Sequence, residues 1–146
     1  MFFRNKNLRF LILALLALLV TACNQTTPED TAVSQPAKNS DGYTDISVTQ
    51  LAEILQDKNF TFVNVHIPYE GDIPQTDLSI PFDQIETNLS QLPADKAAPL
   101  VLYCRSGNMS TQAAETLTGL GYTNVMEVDG GMNAWQAAGY ELIFNQ

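Results

Sequence analysis

The feature that most constrains this chain is the apolar run Leu100-Val101-Leu102-Tyr103, which stops abruptly at Cys104-Arg105-Ser106-Gly107-Asn108-Met109-Ser110. Such a run reads as a buried strand. Just beyond it, Ala113, Ala114, Leu117 and Leu120 recur at helical spacing and Gly121 supplies a C-terminal stop, so the intervening residues must join a strand to the first turn of a helix. First-turn N–H groups lack an intrahelical partner and the helix dipole is positive there, so a thiolate in that loop is favoured over its thiol. Cys104 is therefore a candidate nucleophile. Arg105 sets a permanent cation beside it, and Gly107 can take a positive φ and turn several amides toward one sulfur. Free cysteine is also a common small core residue, but the strand, loop and helix context argues for the nucleophile.

The rest of the C-terminal hundred residues alternates strands with helices. A short strand near Thr44 to Ile46 precedes a capping box, Ser47-Val48-Thr49-Gln50, and the apolar stripe Val48, Leu51, Ile54, Leu55. Phe60 to Val65 is β-branched and aromatic and predicts a buried strand. Ile67 to Phe82 carries three prolines and predicts a long irregular connection with a short strand near Leu78 to Ile80. A second capping box, Asp83 to Glu86, with Ile85, Leu89 and Leu92, predicts a helix ending before Pro93. Val125 to Val128 reads as another strand, Gly130-Gly131 as a break, and Met132 to Ala138 as a last short helix stopped by Gly139.

These elements predict one α/β domain over residues 43–146, with a mostly parallel sheet of about five short strands and helices on both faces. Ligands bind such sheets beyond the carboxyl ends of the strands. Cys104, His66 and Asp129 all follow strand ends, so one rim should collect them, with His66 a possible rim group. Trp135 reads as a core anchor for the final helix. Glu127 and Asp129 read as surface and loop-capping residues.

The N-terminus belongs to targeting rather than to the fold. Arg4, Lys6 and Arg9 make a basic start, and Phe10 to Val20 is apolar for eleven residues, too short for a span that needs about 20. The segment closes Val20-Thr21-Ala22-Cys23, which resembles the lipobox of bacterial lipoproteins. That resemblance implies a signal peptide over residues 1–22 that is removed, lipidation of Cys23 with palmitate-type chains, and export to the cell envelope. The envelope side would be the periplasmic face or the outer membrane if the envelope has two membranes. An ordinary signal peptide followed by an incidental cysteine is the alternative.

Asn24 to about Gly42 is polar and acidic with hardly any large apolar side chain, so residues 23–42 are expected to be a lipidated cysteine and a disordered tether. If Cys23 carries lipid, Cys104 is the only free thiol of the mature chain and no intramolecular disulfide can form. Without Arg4, Lys6 and Arg9, four basic residues (Lys38, Lys58, Lys96, Arg105) face sixteen acidic ones, a net charge of −12. That balance argues against nucleic acid and against charge-driven binding of anionic lipid.

The segments Tyr103-Cys104-Arg105-Ser106-Gly107-Asn108, Ala113-Ala114 with Leu117, Gly121-Tyr122-Thr123-Asn124-Val125 and Gly130-Gly131-Met132-Asn133-Ala134-Trp135 together resemble the rhodanese (sulfurtransferase) domain. The resemblance implies a sulfurtransferase. Cys104 would take sulfane sulfur from a small donor such as thiosulfate, hold it as a persulfide in a cradle of Arg105, Ser106, Gly107, Asn108, Met109 and Ser110, and pass it to a thiol, to cyanide or to a protein acceptor. It implies no metal and no organic cofactor, and a monomer. A catalytically silent rhodanese-like module that binds a partner or carries sulfur is the alternative.

Three departures from the family pattern stand out. Met109 occupies the place where the loop often ends in a basic residue; Asn64-Val65-His66 replaces Asp-Val-Arg; and Gly71-Asp72-Ile73-Pro74-Gln75 replaces Gly-His-Ile-Pro-Gly. A common ion pair is therefore expected to be absent. Cysteine phosphatases use a related loop with an arginine six positions after the cysteine to grip phosphate; Ser110 stands there, which excludes that clamp.

Overall fold

A computed structural model describes residues 36–144. The expected signal peptide, the lipobox-like segment with Cys23 and most of the expected tether lie outside the described residues. Five strands form one sheet: β1 (Thr44–Ile46), β2 (Thr61–Asn64), β3 (Leu78–Ser79), β4 (Leu100–Tyr103) and β5 (Val125–Val128). Their order is β1-β5-β4-β2-β3 and every pairing is parallel. Parallel strands need crossovers that cover the sheet, so the central strands are buried on both faces. All four residues of β4 are buried, which is why Leu100 to Tyr103 shows no polar alternation.

Three helices supply the cover: α1 (Val48–Ile54), α2 (Asn108–Gly119) and α3 (Gly131–Ala137). On one face Val63, Val65, Leu100, Leu102 and Val125 pack with Ala113, Ala114 and Leu117 of α2. On the other, Ile46, Phe62, Val101, Tyr103 and Val128 pack with Leu51 of α1 and with Met132 and Trp135 of α3. The predicted capping box of α1 is present: the Gln50 N–H donates to Ser47 Oγ and the Ser47 N–H to Gln50 Oε1. Trp135 anchors α3, buried with its Nε1–H donating to Glu141 O at 3.0 Å.

The second capping box does not form, and the helix it predicts is 3₁₀ rather than α. Residues 82–84 and 86–91 are short 3₁₀ segments, with Asn88 off helical geometry (φ −114°, ψ 19°) and no side-chain cap. Thr87 Oγ1 and Asn88 Nδ2 both donate to Gln84 O, so polar side chains take a backbone acceptor that a regular helix would use. Ile85 and Leu92 are nonetheless buried, as the spacing predicts. Residues 38–42, expected at the end of the tether, bond to the domain: Lys38 Nζ donates to Thr123 O, and Thr118 Oγ1 donates to Asp41 O.

The double glycine joins the sheet to α3 by a close backbone approach. The Met132 and Asn133 N–H groups donate to the Cys104 and Arg105 carbonyls, each at 2.9 Å. Gly131 has φ +51°, and a Cβ there would lie 2.1 Å from Cys104 O, which only glycine avoids. Gly131→Ala should therefore cost about 3 kcal/mol or more in urea unfolding. A wild-type midpoint and slope would show that the contact can shift freely.

Candidate active site

Because every strand is parallel, the ends of β2, β4 and β5 open on one rim; Cys104 and Asp129 are the residues directly after β4 and β5, and His66 lies two residues past the end of β2. Cys104 is the residue after β4 and only 1% exposed. Gly107, with φ +99°, turns the chain into α2, and its N–H donates to Cys104 Sγ at 3.1 Å. Ser110, in the first turn of α2, places its hydroxyl 3.4 Å from the same sulfur. The sulfur thus meets one backbone N–H and one hydroxyl among the described residues, at the N-terminal end of a twelve-residue helix.

The other loop residues divide by burial. Arg105, Ser106 and Asn108 are exposed, and Asn108 is tied into α2 by Gln112 Nε2. Met109 is half-buried and packs against the core under α2. An apolar side chain with nothing polar to solvate leans inward, so the position holds no charge over the mouth.

The departures at β2 build their own connections. Asn64 Nδ2 donates to Gly71 O (3.0 Å) and Asp72 Oδ1 (2.9 Å), while the His66 N–H donates to Asn64 Oδ1. Asp72 Oδ1 also accepts from Tyr103 Oη (3.3 Å), and Tyr103 Oη accepts the Ile73 N–H (3.0 Å). Desolvation pushes the Tyr103 phenol well above its usual range, so it stays neutral as a fixed donor and acceptor. This network fastens the irregular 65–77 connection to the sheet.

That connection presents Glu70. Its carboxylate accepts from Arg105 Nη1 (2.9 Å) and lies 3.0 Å from His66 Nε2, so His66, Glu70 and Arg105 form one chain along the rim. Glu70 and Arg105 thus form an ion pair on the rim that the sequence reading did not anticipate. His66 is 8% exposed and its Nδ1 has no hydrogen-bond partner among the described residues. The four cations among the described residues are all engaged: Lys38 with Thr123 O, Lys58 with Asp77, Lys96 with Leu120 O and Arg105 with Glu70.

Glu127 corrects the sequence reading. It is 2% exposed, on the face of β5 that packs against α2, and its Oε1 accepts from Ser110 Oγ at 2.5 Å. Burial, with Asp129 and Asp45 nearby, raises its pKa to about 7 against the pull of the Ser110 hydrogen bond. Carboxylate oxygens of Asp45, Glu127 and Asp129 lie within 4.8 Å of one another. The missed signal was position: a charge inside a strand flanked by β1 and β4 has no solvent face to occupy.

A five-stranded parallel sheet with a cysteine at the end of its central strand, cupped by a loop that starts a helix, defines an α/β domain of the cysteine-loop type. The rhodanese-like domain family matches residues 47–138, and the chain belongs to that family. It is 33% identical over 103 residues to a sulfurtransferase of Allochromatium vinosum, covering 68% of this chain and 94% of that protein. A thiosulfate sulfurtransferase GlpE of Pseudomonas syringae is 32% identical over 85 residues, 58% of this chain and 80% of that one. Among solved structures, a rhodanese-related protein from Thermoplasma volcanium superposes with a TM-score of 0.61 at 28% identity, over 70% of this chain and 100% of that one.

The raised Glu127 pKa gives a signed stability test. The unfolded carboxyl loses its proton near 4.5, the folded one near 7, so stability falls as pH rises through that window. Glu127→Gln should leave stability unchanged at pH 4 and raise it by about 3 kcal/mol at pH 8, converting the shift at 1.36 kcal/mol per unit. Equal unfolding midpoints for the two proteins at pH 8 would refute the buried charge.

Proposed function

We propose that this chain is a sulfurtransferase that moves sulfane sulfur through a persulfide on Cys104. The observation that carries the reading is the seat of Cys104 Sγ: it follows the central strand, accepts the Gly107 N–H and faces the N-terminal end of α2, in a chain of the rhodanese-like family. The Cys104 thiolate attacks the outer sulfur of the donor, a sulfur–sulfur bond forms, and the donor's own bond breaks; with thiosulfate, sulfite departs with the electron pair. A thiolate or cyanide then attacks the outer sulfur of the persulfide, the sulfur–sulfur bond to Cys104 breaks, and Cys104 leaves as thiolate. The Gly107 N–H and the helix N-terminus favour negative charge at each stage. A small donor suits a sulfur buried this deeply.

The N-terminal residues support a place for the reaction. The basic start, the apolar run Phe10 to Val20 and Val20-Thr21-Ala22-Cys23 read as a lipoprotein signal, so the domain works tethered by lipid on Cys23 to an envelope membrane. A thiol or protein acceptor would meet it there.

Incubation with thiosulfate should add the mass of one sulfur atom to the Cys104 peptide, and Cys104→Ala should gain none and lose turnover. An unmodified Cys104 peptide under those conditions would overturn the reading. The donor's charge gives a second test, because Arg105 is held by Glu70 and the mature surface is strongly acidic. Glu70→Gln frees the guanidinium, and kcat/KM for thiosulfate should rise up to about fivefold, the scale of an exposed ion pair, with little change for an uncharged polysulfide. An equal effect on both donors would show that Arg105 does not meet the donor's oxyanion.

A further inference from the structure

Glu127 is unexplained by sulfur transfer as derived above. A carboxyl group that is 2% exposed and bonded to no cation among the described residues is costly to keep inside a fold. Its contacts point in one direction. Ser110 Oγ sits between Glu127 Oε1, at 2.5 Å, and Cys104 Sγ, at 3.4 Å, with Gly107 O a further acceptor at 3.0 Å. A hydroxyl has one proton to give and two lone pairs to receive with, so it can link an acid to a sulfur in either sense.

We infer that Glu127 is a positioning residue that stores the proton of the Cys104 nucleophile, the two groups sharing one proton through the Ser110 hydroxyl. The inference rests on the reading of Cys104 as the nucleophile. In one arrangement the S–H donates to Ser110 Oγ, whose O–H donates to the Glu127 carboxylate. In the other the S–H bond is broken, its electron pair stays on sulfur, Ser110 takes that proton, and the former Ser110 proton forms an O–H bond on Glu127. The Ser110 hydroxyl then donates to the thiolate. Nothing is oxidised or reduced, and the total charge is the same in both.

The surroundings offset the proton's ordinary preference for sulfur over a carboxylate, so that both arrangements are populated. Against Glu127 stand Asp45 from β1 and Asp129 just beyond β5, both acidic; from α2 comes the neutral Ser110, and from the end of β4 Cys104 itself. Two carboxylates within 4.8 Å oppose a charge on Glu127. On the sulfur side the Gly107 N–H and the start of α2 favour one. Negative charge is pushed out of the β5 side and held in the loop. The raised Glu127 pKa agrees with the same geometry.

The test is the pH profile of iodoacetamide alkylation, read by mass at the Cys104 peptide of the full chain, which needs no sulfur donor. The wild type should show two steps: one near neutral pH as the pair loses its first proton, and one at higher pH as it loses the second. Glu127→Gln has no second proton to lose and should give a single step, reacting faster than wild type above pH 7. Ser110→Ala leaves the carboxylate but removes the bridge, and should slow alkylation at pH 7.5 about tenfold, the scale of one hydrogen bond to a charged group. A single step in wild type that superimposes on Glu127→Gln overturns the inference; if that variant fails to fold, an unchanged profile in Ser110→Ala overturns it alone. Loss of persulfide formation with the two-step profile intact would count against sulfur transfer and not against the shared proton.

Discussion

The structure depends on the approach of α3 to the end of β4. Two N–H groups from the start of α3 close on the carbonyls of Cys104 and Arg105, and no side chain fits between. This fixes the backbone on which the sulfur hangs from the side opposite α2. The loop is therefore held at both ends by helix starts, one supplying N–H groups to carbonyls and the other facing the sulfur. Gly131 matters less for its own freedom than for the space it leaves to the cysteine's peptide unit.

Charge is distributed with comparable economy. The domain has few cations, and each described one is bonded to an acceptor, so the loop is left to backbone dipoles and a hydroxyl. Acidity is concentrated on the other side of the sulfur, in Asp45, Glu127 and Asp129. The sulfur therefore lies between a loop of hydrogen-bond donors and a cluster of carboxyl groups.

Much of this was legible in the sequence, and the reasons differ by element. Ser47 and Gln50 announced α1 because their side chains satisfy local backbone groups, which needs no tertiary help. Leu100 to Tyr103 announced β4 because a strand buried on both faces has no polar side to show. Asp83 and Glu86 misled, since Thr87 and Asn88 offered the backbone other partners. Asn64 and Glu70 act across a loop, and spacing along the chain carries no record of which carbonyl or guanidinium the fold will bring to them. Glu127 could have been found by following the two-sided cover of the sheet to its consequence for a charge in β5.

The last described residues have a mechanical role. Ile143 pairs with Asp72 in an isolated antiparallel bridge, its N–H and O each bonding at 2.8 Å, and the Phe144 ring covers Gly71. Asp72 is also the residue to which Asn64 and Tyr103 reach, two positions beyond Glu70. Ile143 and Phe144 thus work as a strap across the loop that carries the rim's acidic partner. Shortening the polypeptide before Ile143, or fusing a rigid body against it, would slacken that loop and release Arg105 without touching any residue near the sulfur.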